Sequence, residues 1–294
     1  MSTERTLFKM PPDVSLIIKT FERRLALERL LDSIRDQGYG HCPILIADDS
    51  KEPYRDAILD QYGDIVDSYI VLPFDSGLSK GRNELLKRVE TTYFVLNDDD
   101  FVYDERTDLA WMRKQLEHSE VELLTTVLYR SHIDELLSSS QLLSKGFLTQ
   151  LIRHPIEYMR SFMNGGLGKC NDVARFSGFL EIQDRTVILR TLAQYTPPYT
   201  RCDYGYNFFM ADTRAVHSKA GGWMEELKLA EHWEFFYRAK RGGLRVATTE
   251  EVGVVDPPSL SFNSETYDHH RIDRFERFRR MGLEAHGFEN LQFR

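Results

Sequence analysis

The sequence predicts a mixed α/β protein built on a central, mostly parallel sheet with helices on both faces. Three observations carry this expectation. Over the first hundred residues, short β-branched apolar runs alternate with longer stretches of helical period, as in repeated βαβ units. Two of those runs end directly in acidic clusters, Asp48-Asp49-Ser50 and Asp98-Asp99-Asp100. Both clusters would then lie on the carboxyl edge of the sheet, where open parallel sheets bind ligands. Finally, a chain of 294 residues with 41% hydrophobic side chains has the material for one large core.

In order along the chain, residues 14–18 read as a buried strand. Leu25, Leu27, Leu30, Leu31 and Ile34 then recur as one face of a helix. A strand at 43–47, a helix at 54–62, a strand at 67–72, a helix at 78–89 and a strand at 92–96 complete the first half, followed by a helix at 109–116 and a strand at 121–129. Residues 138–169 hold a serine run and Asn164-Gly165-Gly166 without a clean period, and are expected to form an insertion of flexible loops. Pattern returns with an aromatic strand at 207–211, a Gly221-Gly222-Trp223 turn, a helix at 229–240 and a strand at 244–248. A basic, aromatic helix at 271–280 closes the chain.

Composition excludes several classes. Acids outnumber bases 46 to 38, a net charge of −8, so no nucleic-acid partner is expected. No apolar run nears the roughly 18 residues that cross a bilayer, and the first residues have neither a cationic start nor an apolar signal core. Three cysteines, Cys42, Cys170 and Cys202, make no disulfide framework, although one Cys170 to Cys202 bridge is left open. No spacing matches a structural zinc site.

The chemistry sits in four strings. Three carboxylates in a row, Asp98 to Asp100, repel one another unless a cation offsets them, and an oxygen-rich cluster at a strand end suits Mg²⁺ or Mn²⁺ holding a diphosphate. Taken alone, the cluster reads equally as a solvated loop or helix cap. Asp48 and Asp49 could accept hydrogen bonds from a base or a ribose, or cap the next helix, and Thr20 ends the first strand nearby. The stretch Ser76-Gly77-Leu78-Ser79-Lys80-Gly81-Arg82-Asn83 joins glycine freedom to two cations, which favours phosphate, without matching a Walker or dinucleotide spacing. In Glu231-His232-Trp233-Glu234, helical spacing sets Glu231 and Glu234 on one face. His232 or Glu231 could serve as a general base, with Glu234 either beside them or paired to Arg238 four residues on. Trp233, Phe236 and Tyr237 read as core.

Taken in order, Lys19-Thr20-Phe21, Ala47-Asp48-Asp49-Ser50, Gly81-Arg82-Asn83, the Asp98 to Asp100 cluster, Gly-Gly-Trp and Glu-His-x-Glu resemble a GT-A nucleotide-sugar glycosyltransferase. More narrowly, the chain resembles the ganglioside-type β-1,4-N-acetylgalactosaminyltransferases of glycosyltransferase family 12, relatives of the large family 2. The likeness lies in IIKTFERR, LIADDS, DDDFV, GLGKC, YNFFMADT and EHWEFF.

The resemblance implies a single GT-A domain with a Rossmann-like sheet: a nucleotide-binding half at about 12–105, an acceptor-binding and catalytic half at about 106–260 and a helical tail at about 261–294. It puts Thr20, Asp48 and Asp49 near the uridine and Arg82 near the donor diphosphate or sugar. Asp98 and Asp99 fall beside the nucleotide, and Asp98 and Asp100 at Mn²⁺ or Mg²⁺. The implied reaction inverts the anomeric centre of a UDP-sugar, N-acetylgalactosamine above all, and moves it to a glycan hydroxyl.

Where such enzymes carry a Glu-Asp pair whose Asp is the base, this chain has Glu231-His232. Where they place a late histidine, it has Asp256, with His269 and His270 as further candidates for a third metal ligand. A His232 base would lose activity on the acid side with the ordinary imidazole pKa near 6.5. Without an anchor, a cytoplasmic bacterial protein working on capsule or lipooligosaccharide is expected, with the basic tail as a peripheral contact to the inner membrane. The competing reading is an inactive nucleotide-sugar or glycan binding module.

Overall fold

A computed structural model describes residues 13–130, 172–257 and 274–294. The chain enters the sheet with β1 (Val14–Thr20), whose seven residues are all buried, then α1 (Arg24–Asp36) and β2 (Ile44–Asp48). Next come α2 (Arg55–Tyr62), β3 (Val66–Val71), α3 (Leu78–Leu86), β4 (Tyr93–Asp98), α4 (Leu109–Glu117) and β5 (Leu123–Arg130). β1, β2 and β4 are largely apolar without alternation because both faces are covered, whereas β3, at the edge of the sheet, carries Asp67 and Ser68 and is only partly buried. Val14, Leu16 and Ile18 pack with Leu27, Leu30, Leu31 and Ile34 of α1. Ile17, between them, points the other way and joins Leu45, Ala47, Leu85 and Leu86 in a second core. Leu25 is 58% exposed and leaves the face expected for it. Two residues ahead of Leu27, it lies about 200° round the helix.

From residue 172 onward come β6 (Asp172–Ala174), the hairpin β7 (Gly178–Gln183) and β8 (Thr186–Thr191), β9 (Thr200–Cys202) and β10 (Phe209–Asp212). Then α5 (His232–Arg241), β11 (Val246–Val255), α6 (Phe275–Ala285) and β12 (Asn290–Phe293) follow. The large sheet runs β3-β2-β1-β4-β10-β5-β11-β9, with β6 beside β5. Its first four strands are parallel, and β10 slots antiparallel between β4 and β5.

Three sequence expectations need correction. The last strand continues to Val255, past the expected 248, through a register shift against β5 where the polar Glu250 and Glu251 interrupt the apolar run. The tail is not helical to its end, because β12 pairs in parallel with β8 and completes a small three-stranded sheet. Cys202 is a buried free thiol, its pKa pushed up by burial, and Cys170 lies outside the described residues. The 138–169 insertion, His269 and His270 lie outside them as well. None of the described helices is long and apolar enough to cross a membrane.

Candidate active site

Strand order reverses between β1 and β4, and the carboxyl ends of the two strands meet there. Lys19 sits opposite Asp98 and Thr20 opposite Asp48, so register alone gathers the predicted residues on one edge.

Asp48 and Asp49 spend their oxygens on the chain itself. Asp48 Oδ1 accepts from the Ser50 amide (2.8 Å), and Oδ2 accepts from the Tyr54 amide (3.0 Å) and the Tyr69 hydroxyl (2.8 Å), which folds the turn into α2. Asp49 accepts from the Gly77 amide (2.7 Å) and is ion-paired with buried Lys19. The Lys19 stem passes over Gly81, where a Cβ would stand 2.6 Å from its Cε, so glycine is needed there. Asp75, just before Gly77, is held at Oδ2 by Lys228 and by Arg274, 2.9 Å each.

The three consecutive aspartates alternate out, in, out. Side-chain exposure is 29% for Asp98, 1% for Asp99 and 15% for Asp100. Thr20 donates to Asp99 Oδ2 (2.7 Å), and Arg23 spans Asp99 and Asp100, reaching Asp100 Oδ2 at 2.5 Å. Burial pushes Asp98 and Asp99 above the usual Asp range and the Asp100 charge adds to this, while Arg82 and Arg23 respectively oppose it. Two partly exposed carboxylates, Asp98 also paired with Arg82 and Asp100 with Arg23, offer the oxygen donors that a hard divalent ion takes. Asp256 reaches the same edge because Val102 and Val255 exchange backbone hydrogen bonds (2.9 and 3.0 Å), but its Oδ2 is engaged by Arg130 at 2.8 Å. Among the described residues, no group of three or more His, Cys, Asp or Glu side chains is placed around one ion position.

Arg82 lies at the centre with no exposed surface. It donates to Asp98 Oδ1 (2.7 Å) and to Glu231, 149 residues away, with its guanidinium 5.7 Å from the Trp223 ring centroid. Its neighbour Asn83 clamps Trp223 from both sides, accepting from the Trp223 amide (2.8 Å) and donating to its carbonyl (2.7 Å). Gly222, at φ +78°, makes that approach feasible, since a Cβ there would stand 2.5 Å from Asn83 Oδ1. Thus Gly81-Arg82-Asn83 and Gly221-Gly222-Trp223, far apart in sequence, form one joint.

The joint delivers α5 to the site. Glu231 precedes its first residue and is fixed by Arg82. His232 Nδ1 is 2.7 Å from Asn207 Oδ1, and Nε2 is buried with no hydrogen-bond partner. The rings of Phe176 and Phe236 stand 5.6 and 5.1 Å from the imidazole. Burial moves the His232 pKa down to about 4, helped by Arg82 and opposed by Glu231 and the Gly205 backbone. Glu234 is not brought to this group. Its fully buried carboxylate takes Arg238 Nε (2.5 Å) and His286 Nε2 (2.9 Å), which is the i,i+4 pair that the helical spacing allowed. Trp233, Phe236 and Tyr237 are core, as expected.

Of the four non-glycine residues at positive φ among the described residues, three flank this region: Glu22, Asp75 and Ala230. Backbone strain of this kind persists where surrounding contacts over-determine the chain. Lys19, Arg23 and Asn207 belong to the site but had no role assigned from sequence. Arg23 contacts Asp99 across 76 residues, and Asn207 reads there only as the start of an aromatic strand.

The profile of Glycosyl transferase family 2 matches residues 15–170, the stretch that carries both acidic clusters and the Gly81-Arg82-Asn83 element. Human β-1,4 N-acetylgalactosaminyltransferase 1 is 32% identical over 248 residues, which cover 84% of this chain and 39% of that protein. This bears out the narrower resemblance. Among solved structures, S. aureus TarS 1-349 in complex with UDP-GlcNAc superposes with a TM-score of 0.54 at 16% identity, covering 83% of this chain and 58% of that one. The mannosyltransferase PcManGT from Pyrobaculum calidifontis, in complex with GDP-Man and Mn²⁺, gives 0.52 at 17% identity, covering 90% and 61%. At these identities the likeness concerns the fold, which is of the GT-A type. A sheet whose order reverses beside an Asp98 to Asp100 cluster, matched by the profile over more than half its length, makes the chain a member of glycosyl transferase family 2.

Proposed function

We propose that the protein is an inverting, metal-dependent glycosyltransferase that moves N-acetylgalactosamine from a UDP donor to a glycan hydroxyl in surface polysaccharide or lipooligosaccharide synthesis. One observation carries the reading: Arg82 ties the open Asp98 carboxylate to Glu231, so the edge with the acidic cluster and the start of α5 with its unpartnered imidazole form one rigid unit. The similarity to a β-1,4 N-acetylgalactosaminyltransferase supports the choice of sugar, and TarS in complex with UDP-GlcNAc supports a UDP donor.

In this reading Asp98 and Asp100 would hold Mn²⁺ or Mg²⁺, which when bound supplies positive charge to a departing diphosphate. Thr20 and the Asp48 and Asp49 loops shape the nucleotide side. Arg82 acts from beneath, as a strut rather than a ligand contact, because both of its carboxylate partners are internal. His232 takes the acceptor proton at Nε2. Glu231 is the poorer base, since its carboxylate is already pinned by a buried guanidinium. UDP release measured over a panel of UDP-sugars, with and without Mn²⁺, tests the proposal. Turnover of UDP-GalNAc that needs both the ion and a glycan acceptor supports it, and tight UDP-sugar binding without turnover under any condition points to a binding module.

A further inference from the structure

The geometry points to Asn207 as the residue that sets the tautomer of His232, leaving the Nε2 lone pair as the basic atom. The inference deepens the proposed reading of His232 as base and rests on it for its catalytic meaning.

The two ends of an amide group are chemically opposite, and both ends of Asn207 are engaged. Its Nδ2 faces Asp98 Oδ2 at 3.5 Å, and its Oδ1 faces His232 Nδ1 at 2.7 Å. A carboxylate with no proton accepts only, so the amide NH₂ must be the end that points to Asp98. Turning the amide over would set its oxygen against the Asp98 oxygen and its NH₂ against the ring nitrogen. With the orientation fixed by Asp98, Oδ1 is presented to the imidazole, and an oxygen that only accepts requires Nδ1 to carry the hydrogen. In a neutral ring the other nitrogen then bears the lone pair. That nitrogen, Nε2, is the atom left without a partner.

The charged groups that act on the ring are Glu231 on its own helix and Arg82 from α3, and Arg82 also binds Asp98. Asp98, Asn207 and His232 are therefore linked in series, with Arg82 closing the circuit through Glu231. Asn207 touches no reacting atom in this scheme. It is a positioning residue, comparable in logic to the partners that orient a histidine by holding its second ring nitrogen.

The test is the tautomer itself. ¹⁵N-labelled histidine is incorporated into the full chain, the His232 ring is assigned by difference from His232→Gln, and its two nitrogens are read by long-range ¹H–¹⁵N correlation at pH 7. The expected result is a protonated Nδ1 and an unprotonated Nε2, with no substrate present. Asn207→Asp, which keeps an acceptor at Nδ1, retains that pattern, and Asn207→Leu loses it in favour of the Nε2–H form. Transfer by Asn207→Leu falls at least about tenfold in kcat, and by no more than the roughly 100- to 10,000-fold that a general base contributes in full, while donor KM stays within about twofold. An Nε2–H ring in the unmutated protein overturns the inference, as does a pattern that Asn207→Leu leaves unchanged. The base reading fails separately: if the Nδ1–H tautomer is found but His232→Ala transfers sugar at the unmutated rate, Asn207 still sets the ring and the ring is not the base.

Discussion

Replacing Arg82 by Met gives the sharpest test of the architecture. The methionine fills much of the arginine stem but supplies no donor, so two carboxylates lose their shared cation. Glu231 is 4% exposed and cannot recruit water, whereas Asp98 at 29% can hydrate in part. Removing one partner of a buried ion pair typically costs about 3–5 kcal/mol, and with one partner sealed the full range applies here. With a urea m-value of about 3 kcal/mol/M, this lowers the unfolding midpoint by roughly 1 to 1.7 M. Adding Glu231→Gln to Arg82→Met removes the sealed charge and should recover part of the loss, a coupling readable from a double-mutant cycle. Arg82→Lys should not rescue, because one ammonium cannot span both carboxylates in the planar geometry of a guanidinium. The assay is equilibrium urea unfolding without ligand, followed by UDP titration at a urea-free baseline. A midpoint unchanged within about 0.2 M, together with a selective loss of UDP affinity, would show that Arg82 acts on the donor and would refute the strut.

Asp100→Ala should leave the metal-free fold intact and abolish both transfer and the stabilisation by Mn²⁺, which at one hundred times its dissociation constant amounts to about 2.7 kcal/mol in the unmutated protein; equal Mn²⁺ protection of both proteins in thermal melts would remove Asp100 from the ion site. His232 has a folded pKa of about 4, against about 6.5 for an unfolded imidazole. The unfolded chain therefore binds the extra proton first, and the stability this group contributes is present above pH 6.5 and lost as pH falls toward 4. His232→Gln should flatten that acid limb in a stability-against-pH series, and the acid limb of kcat should lie near 4 rather than at the ordinary imidazole value; a limb that stays at 6.5 would mean the ring is not held in this environment. Glu234→Gln should lower stability, by weakening its links to Arg238 and His286, while kcat stays within about twofold, and a selective fall in kcat would put Glu234 back among the reacting groups.

β1, β2 and β4 were legible because strands covered on both faces are largely apolar, and the two acidic clusters mark where β2 and β4 end. The small sheet of β7, β8 and β12 was not legible. Phe179, Glu181, Ile182 and Gln183 of β7 are exposed, so polarity and apolarity there do not sort by face, and its third strand arrives from the far end of the chain. Within the site, the residue types were informative and their partners were not. A lone arginine after glycines reads as a phosphate ligand until Glu231 is seen to meet it. Likewise, the spacing of Glu231 and Glu234 puts them on one helix face, but it cannot say that Arg82 takes the first and Arg238 and His286 the second.

The ties between α3 with its preceding loop and the segment leading into α5 are all of very long range. Asn83 to Trp223, Arg82 to Glu231 and Asp75 to Lys228 span 140, 149 and 153 residues. On a ribosome, the whole acidic cluster is therefore complete long before the groups that position it have been made. A nascent chain that has reached only β5 owns every aspartate of the two acidic clusters, yet its Arg82 has one carboxylate instead of two, its Asn83 has no backbone to grip, and Asp75 lacks both of its cations. Contacts of such separation form late and require closure of a long loop. In the proposed reading, the nucleotide edge is finished by the second half of the polypeptide, and nucleotide affinity should emerge in one step as the residues around 223–231 dock.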